Sequence, residues 1–279
     1  MQTCACACSC VVRAGRVCRR RRRTFIMQRA SSTLTPPARG ALVRTVEVAG
    51  RQLRFWQHFM DKPVVQPRRP GGPRADLTGL KLWPVSLRLL DHLRADVLPA
   101  LRAERDRPLR VLELGAGVGS LGIGLAAVGE RVLLTDPGLP VWYSEDEEGS
   151  TLSWLQANVD TNRDVVGERA AVAQLLWGDE AHEATVKQWD GGAPFDLVVG
   201  ADLLYDPDQY PALLRTLAAF ASPHTTAVLG FSRRHPGEAR FLKSAERVFA
   251  DVTTHDHVAD GPARQRWAVS TLRELREPP

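Results

Sequence analysis

The sequence predicts a doubly wound α/β fold with a mostly parallel, seven-stranded sheet and a β-hairpin before it. Short apolar runs separated by helical segments recur from about residue 109 to 232, the pattern of strands covered by helices on both faces. A glycine-rich turn follows the first of these runs. An acidic residue ends the second and the fourth runs, at the edge where an open sheet of this kind binds its ligand.

The individual elements follow from hydrophobic periodicity and turn residues. Residues 41–48 and 51–59 flank Ala49-Gly50 and predict the hairpin; a loop at 63–74 and a helix from Leu80 to about Leu101 follow. The predicted core strands are Leu109–Gly115, Arg131–Asp136, Val172–Trp177, Phe195–Asp202, Thr226–Ser232, Val252–His255 and Gln265–Leu272. The predicted helices between them are Ser120–Val128, Leu152–Asn162, Tyr210–Phe220 and Glu238–Phe249. Residues 41–279 are therefore expected to form one domain, with its core at about 80–275.

The net positive charge of the chain comes from its first residues. The net charge is +5, yet residues 1–46 contain ten arginines and no acidic residue. The other 27 of the 37 basic residues face 32 acidic ones, so residues 47–279 carry about −5. A mildly acidic domain argues against a broad nucleic-acid-binding face. It is compatible with a cationic acceptor, or simply with a solubilising surface.

Residues 1–40 are predicted to be a disordered leader rich in arginine and cysteine. A segment without acids and rich in Arg, Ser and Ala is typical of an organellar transit peptide. An extension ahead of an initiator at Met27, or a functional basic tail at Arg19–Arg23, are the alternatives. The expected location is cytoplasmic, or a plastid or mitochondrion if the leader is a transit peptide. All five cysteines lie within residues 4–18, so no disulfide is expected in the domain.

The glycine-rich turn from Gly115 to Gly119, preceded by Glu113, predicts a cofactor site. A turn without side chains lets the backbone approach a ligand closely. A nicotinamide site uses G-x-G-x-x-G, and in register with Gly115 its third glycine is replaced by Ser120; a match exists only two residues later. Asp136 ends the next strand, where a carboxylate can accept hydrogen bonds from ribose hydroxyls.

A second candidate site follows the fourth predicted strand. Asp202 ends this apolar strand, and Tyr205 stands three residues further on. Because ligands lie beyond the carboxyl ends of such strands, both side chains are expected to face the reacting group. The alternative is an aspartate that caps a helix and a tyrosine that packs against the core.

From about residue 75 to 255 the chain resembles the seven-β-strand (class I) S-adenosylmethionine-dependent protein-lysine methyltransferases of family 16. The resemblance rests on Gly79-Leu80-Lys81-Leu82-Trp83-Pro84, Glu113 to Gly119, Leu134-Thr135-Asp136, the Asn158 to Asn162 spacing, Leu176-Trp177-Gly178 and Gly200-Ala201-Asp202-Leu203-Leu204-Tyr205. It implies a Rossmann-like sheet, S-adenosylmethionine as the cofactor and a protein lysine as the acceptor. The segment Val141–Ser150, acidic from Glu145 to Glu148, departs from the family pattern. It is expected to be a solvated loop, or an acidic lip that attracts a basic partner.

The resemblance also implies roles for individual residues. The implied cofactor contacts are Trp83, Glu113, Gly115, Ala116, Gly117, Asp136, Trp177 and Ala201. Trp177 would lie beside the adenine and Trp83 at the methionine end, although either tryptophan could instead pack in the core. Asp202 and Tyr205 take the catalytic places, with Asp202 orienting the acceptor amine or relaying its proton.

Other functions stay open on the sequence alone. Amine acceptors also occur on nucleic-acid bases, but enzymes that act on them use two prolines where Leu203 and Leu204 stand. Methylation of a base or a small molecule is therefore the first alternative, and a nicotinamide-dependent oxidoreductase or an inactive cofactor-binding scaffold is the second. The chain is expected to be a monomer without a membrane span or a metal site. The group His255, Asp256 and His257 is predicted to lie on the surface.

Overall fold

The computed structural model describes residues 27–28, 41–58, 78–142, 148–234, 237–258 and 265–276. The cysteines, the arginine run, the loop at 63–74 and the acidic residues 145–147 lie outside the described residues, so the predictions made for them stay predictions. Within the described part of the chain, no helix combines the length and the apolar character that are needed to cross a membrane.

The described residues form strands β1 to β12 and helices α1 to α8, numbered in chain order. The strands are β1 (Met27–Gln28), β2 (Ala41–Val48), β3 (Arg51–His58), β4 (Arg110–Leu114), β5 (Arg131–Asp136), β6 (Pro140–Trp142), β7 (Glu148–Ser150), β8 (Ala170–Gln174), β9 (Leu197–Ala201), β10 (Thr226–Ser232), β11 (Phe249–Val258) and β12 (Arg266–Leu275). The helices are α1 (Pro84–His92), α2 (Leu98–Ala103), α3 (Ser120–Ala127), α4 (Thr151–Thr161), α5 (Arg163–Val166), α6 (Glu180–Lys187), α7 (Tyr210–Phe220) and α8 (Gly237–Ala245).

The central sheet has seven strands in the spatial order β11-β12-β10-β9-β4-β5-β8. Strand β12 is antiparallel to both of its neighbours, and the other pairs are parallel. The predicted doubly wound, mostly parallel sheet is therefore confirmed. Because the chain winds outward through β5 and β8 and then returns to the other side of β4, the order reverses between β4 and β9. Ligands of open α/β sheets bind at the carboxyl ends of the strands beside such a reversal.

A hydrophobic cluster covers each face of this sheet. On one face, buried side chains of α1, α3 and α4 pack together with those of the hairpin β2–β3. On the other face, α6, α7 and α8 contribute the buried side chains. The strands between these layers are almost continuously buried, as a parallel sheet covered on both sides requires.

The predicted helix from Leu80 to Leu101 is wrong at its start and in its middle. Helix α1 begins at Pro84, a residue that favours the first helical position because it has no N–H to leave unpaired. A five-residue π-turn, Leu93–Val97, then separates α1 from α2. Pro99, near the start of α2, cannot donate a backbone hydrogen bond to the preceding turn, so the regular helix is interrupted there.

The ends of the third predicted strand and of the last predicted helix also need correction. Strand β8 ends at Gln174, so Leu176 and Trp177 lie in the loop that leads to α6, a helix the sequence analysis did not predict. Gly178 turns the chain in this loop with φ +77°. Helix α8 ends at Ala245, and Phe249 instead begins β11, which is longer than the strand predicted for it.

Two polar segments differ from their predicted form. The segment predicted as a solvated loop after β5 contains a strand pair, β6 and β7, in the part that the structure describes. His257 lies on the edge strand β11 as expected, but its ring stacks on Trp267 at 4.5 Å between centroids and meets the edge of His92 at 5.7 Å. It is therefore half-buried, whereas His255 and Asp256 are exposed.

The hairpin β2–β3 is confirmed, with Ala49 and Gly50 forming its turn. Both residues have positive φ, +50° and +78°, as the two-residue turns that match the twist of a hairpin require. The turn therefore fixes the register of the two strands.

Two asparagines connect this hairpin to α4. The Asn158 side chain accepts a hydrogen bond from Trp56 N–H (2.7 Å) and donates one to Trp56 C=O (3.0 Å). Asn162 repeats the arrangement with Arg54, at 2.8 and 2.7 Å. Four residues along a helix and two along a strand both advance by about 6 Å, so the two amides match alternate residues of β3. Each amide pairs with the backbone N–H and C=O of its residue, as a neighbouring strand would. The Asn158 to Asn162 spacing thus anchors the edge of β3.

Replacing Asn158 should destabilise the protein. Asn158→Ala leaves the buried N–H of Trp56 without its partner, which we expect to lower the free energy of unfolding by about 2–3 kcal/mol. Urea denaturation followed by tryptophan fluorescence measures the change. Gln156→Ala removes a surface amide of the same helix, one that bonds to Asp160, and should change stability by less than about 0.5 kcal/mol. Equal losses in the two variants would contradict the anchoring role.

Candidate functional site

A cavity of about 430 Å³ lies at the carboxyl ends of β4, β5 and β9, where the strand order reverses. Every cofactor-binding or catalytic residue predicted from the sequence lines it: Trp83, Glu113, Gly115, Ala116, Gly117, Asp136, Trp177, Ala201, Asp202 and Tyr205. The structure therefore brings all ten side chains or backbone segments together, while the role of each stays a prediction. Lys81, Thr151 and Arg234 also line the cavity and were not selected from the sequence.

The glycine-rich turn forms the floor between β4 and α3, and neither Gly115 nor Gly117 can carry a side chain without strain. Gly115 and Gly117 have φ values of +59° and +55°. A Cβ on Gly117 would lie 2.9 Å from the carbonyl oxygen of Gly79, and one on Gly115 would lie 2.7 Å from a methyl group of Leu203. The turn is thus fixed between two other segments, and its bare backbone is presented to the cavity.

Asp136 lies at the end of β5 with its carboxylate held in place. Its oxygens accept hydrogen bonds from Gly117 N–H (3.1 Å), Gly138 N–H (3.3 Å) and the hydroxyl of Thr151, the first residue of α4. The side chain is 5% exposed. A buried, oriented carboxylate at this strand end can accept the two hydroxyl groups of a ribose.

Glu113 is buried below the glycine turn and faces the first residues of α3. Its Oε2 accepts a hydrogen bond from Gly122 N–H at 2.9 Å, and the residue is 2% exposed. Burial raises the pKa of this carboxyl to about 8, and the nearby Asp136 charge acts in the same direction. Glu113 is therefore largely protonated at neutral pH.

The raised pKa of Glu113 makes stability depend on pH. The folded state holds this proton more tightly than the unfolded state, so the stability gained from it is complete below pH 4.5 and is lost as the pH rises towards 8. Glu113→Gln resembles the protonated form and does not titrate. We expect its stability relative to wild type to rise by roughly 1 kcal/mol or more per pH unit between pH 5 and 8. Parallel unfolding free energies across that range would contradict the assignment.

Both tryptophans line the cavity, and neither is fully buried. The ring of Trp177 approaches Gly115, with Cζ2 3.3 Å from the position of a Cβ there. The Nε1 of Trp177 is buried without a hydrogen-bond partner among the described residues, which suits a site built for a ligand acceptor. Trp83 donates its Nε1–H to the carbonyl oxygen of Thr78 at 3.0 Å.

Asp202 has an unusual backbone and a paired side chain. Its φ is +61°, a left-handed conformation that is uncommon outside glycine and tolerated best by Asp and Asn. Its Oδ1 accepts a hydrogen bond from Ser232 N–H (3.1 Å), and its Oδ2 pairs with the guanidinium of Arg234 (2.9 Å). Asp202 is 6% exposed, whereas Tyr205 is 45% exposed at the rim. Within the part of the chain that the structure describes, the Asp202 carboxylate bonds to Ser232 and Arg234 and caps no helix, so that alternative is wrong.

These features fit S-adenosylmethionine better than a dinucleotide. The glycine turn, the ribose-type carboxylate of Asp136 and the half-buried Trp177 would hold the adenosine, while Trp83 lies beside Arg234, the partner of Asp202. The negative charge of Asp136 also suits a cationic donor.

Comparison with known proteins also identifies a methyltransferase family. Residues 74–248 match the sequence model of the family described as lysine methyltransferase. The protein N-lysine methyltransferase METTL21A of Danio rerio is 33% identical over 52% of this chain and 60% of its own length. The EEF1A lysine methyltransferase 3 of Mus musculus is 34% identical over 61% of this chain and 63% of its own length. The chain thus spans about 60% of the length of these relatives.

Among solved structures, an S-adenosylmethionine-dependent methyltransferase from Agrobacterium tumefaciens aligns with a TM-score of 0.49, at 15% identity over 83% of this chain and 70% of that one. The family match covers more than half of the chain and includes the motifs that line the cavity. This chain therefore belongs to the lysine methyltransferase family.

Proposed function

We propose that this protein is an S-adenosylmethionine-dependent methyltransferase that methylates a lysine side chain of another protein. One observation carries the proposal: a bare glycine turn, an oriented carboxylate on β5 and a buried carboxylate at the end of β9 line one cavity. The first two suit an adenosine, and the third suits an amine. Family membership and the names of both relatives support the same acceptor.

When bound, S-adenosylmethionine supplies a methyl group that its cationic sulfur already activates. The protein therefore has to align the acceptor, exclude water from the methyl group and let the acceptor lose a proton. A free lysine amine has a pKa of about 10.4, so it must lose a proton before its lone pair can attack. Asp202 and Tyr205 both line the cavity. In this proposal Asp202 accepts a hydrogen bond from the amine and orients it, and Tyr205 supplies an aromatic wall and a hydroxyl at the rim.

Methyl transfer into a cell lysate tests the proposal. The purified protein is incubated with S-adenosylmethionine carrying a labelled methyl group, and the products are treated with protease or with nuclease. Label that is released by protease and recovered as methyllysine after hydrolysis is the expected result. Purified EEF1A is a sensible first individual substrate, because a relative carries its name. Label released by nuclease, or the absence of transfer to any protein, would overturn the proposal.

A further inference from the structure

Asp202 is not a free carboxylate but forms an ion pair with Arg234. This arginine follows β10, two residues after Ser232, and its Nη2 lies 2.9 Å from Asp202 Oδ2. Its guanidinium also lies 5.5 Å from the ring centroid of Trp83. Arg234 lines the cavity and is 45% exposed in its side chain, whereas Asp202 is 6% exposed. The pair therefore faces the space that an acceptor would enter.

This pairing matters because the acceptor must react as a neutral amine. An unpaired carboxylate in a buried position would hold the lysine as an ammonium ion and raise its pKa, which removes the lone pair needed for attack. A guanidinium on the same carboxylate cancels most of that field, while a carboxylate oxygen has lone pairs left for a hydrogen bond. The ion pair can thus orient an amine without retaining its proton.

The other charged groups around the pair do not replace Arg234. The remaining ionisable groups of the cavity lining are Lys81, Glu113, Asp136, Tyr205 and Asp206. Lys81 lies against the ring of Trp83, 4.7 Å from its centroid. On the side of α8 and β11, Glu238 accepts the backbone N–H of Arg234, and Arg233 pairs with Asp256 at 2.7 Å. Neither of these two side-chain contacts involves Asp202.

We propose that Arg234 is a positioning residue that orients Asp202 and neutralises it, so that the acceptor amine bound there can give up its proton. This inference rests on the proposed function, since it concerns the acceptor of that reaction. In the step itself, the amine loses a proton to solvent, its nitrogen forms the bond to the methyl carbon, and the bond between that carbon and sulfur breaks with its electrons left on sulfur.

The dependence of the rate on pH tests this role, with nuclease-treated lysate protein as the probe and saturating S-adenosylmethionine. Arg234→Gln should move the lower apparent pKa of the rate profile upward by about one unit, because a unit charge near the amine acts at an effective dielectric of about 20 and is partly screened by solvent. The rate near pH 7 should then fall about tenfold. Arg234→Lys keeps the charge and should keep the wild-type profile.

Arg233→Gln is the matched control. It removes the same charge at the neighbouring position, from a side chain that pairs with Asp256. Its profile should stay at the wild-type position, and all three variants should bind S-adenosylhomocysteine with wild-type affinity, which also reports correct folding. An unshifted profile in Arg234→Gln, or an equal shift in Arg234→Lys or Arg233→Gln, would overturn the role of Arg234. A wild-type enzyme that methylates no protein would overturn the proposed function as well.

Discussion

Asp202→Asn should reduce methyl transfer at least 100-fold and leave the affinity for S-adenosylhomocysteine within about threefold of wild type. The amide keeps the shape of the side chain but loses the charge that pairs with Arg234, and only one of its two terminal atoms can still accept a hydrogen bond. Its NH2 group must face either the guanidinium of Arg234 or the N–H of Ser232, and both of these groups are donors. Arg234 would then be an unpaired cation at the entrance, which repels a lysine. Misalignment of the reacting atoms can alone cost about 10²-fold in rate.

Initial rates with labelled methyl donor, together with titration calorimetry of S-adenosylhomocysteine, measure these two effects separately. Asp256→Asn removes the same charge from the exposed partner of Arg233 and should retain wild-type rates. A fall in cofactor affinity that matches the fall in rate would place Asp202 among the cofactor contacts. Near-wild-type turnover in Asp202→Asn would remove it from the reaction.

Asp136→Ala should weaken the binding of S-adenosylhomocysteine by about 100-fold or more. Hydrogen bonds to a charged acceptor contribute about 1.5–3 kcal/mol each, and a ribose would lose two of them. The substitution also releases the N–H of Gly117 and the hydroxyl of Thr151, which the carboxylate holds in place. The glycine turn should therefore lose its fixed geometry at the same time.

Equilibrium titration with S-adenosylhomocysteine measures this effect, and circular dichroism checks the fold. Asp160→Ala removes an exposed carboxylate from α4 and should bind the cofactor as the wild type does. If the affinity of Asp136→Ala stays within threefold of wild type, the ribose contact does not exist.

Strands and helices with sharp polar boundaries were predictable to the residue. Arg131–Asp136, Tyr210–Phe220 and Thr226–Ser232 match the structure because a charged, proline or glycine-rich segment stands at one or both ends. The third strand was predicted to run to Trp177, three residues past its end at Gln174, for the opposite reason. Leu176 and Trp177 continue its apolar run, but they border a cavity rather than the core of the sheet. Hydrophobicity alone does not distinguish a buried strand from the wall of a ligand site.

The residues of the site also differ in how well the sequence predicts them. Glu113, Asp136 and Asp202 could be placed together because the carboxyl ends of parallel strands meet at one edge of the sheet. Arg234 follows β10 at that same edge, and this position was the available signal for it. It was missed because arginine is common in this chain and its role depends on one contact with Asp202, which no spacing in the sequence reveals. Thr151 was missed for a similar reason, since it acts through Asp136.

Helix α4 joins two parts of the molecule that the sequence keeps far apart. Its first residue, Thr151, bonds to the carboxylate of Asp136, while Asn158 and Asn162 at its other end grip the backbone of β3. The hairpin therefore supports α4, and α4 in turn holds the carboxylate of Asp136. The described lining of the cavity includes no residue of the hairpin, yet the hairpin should influence how rigidly the adenosine side of the cavity is held. Weakening the contacts of β3 should therefore first lower the affinity for the nucleoside.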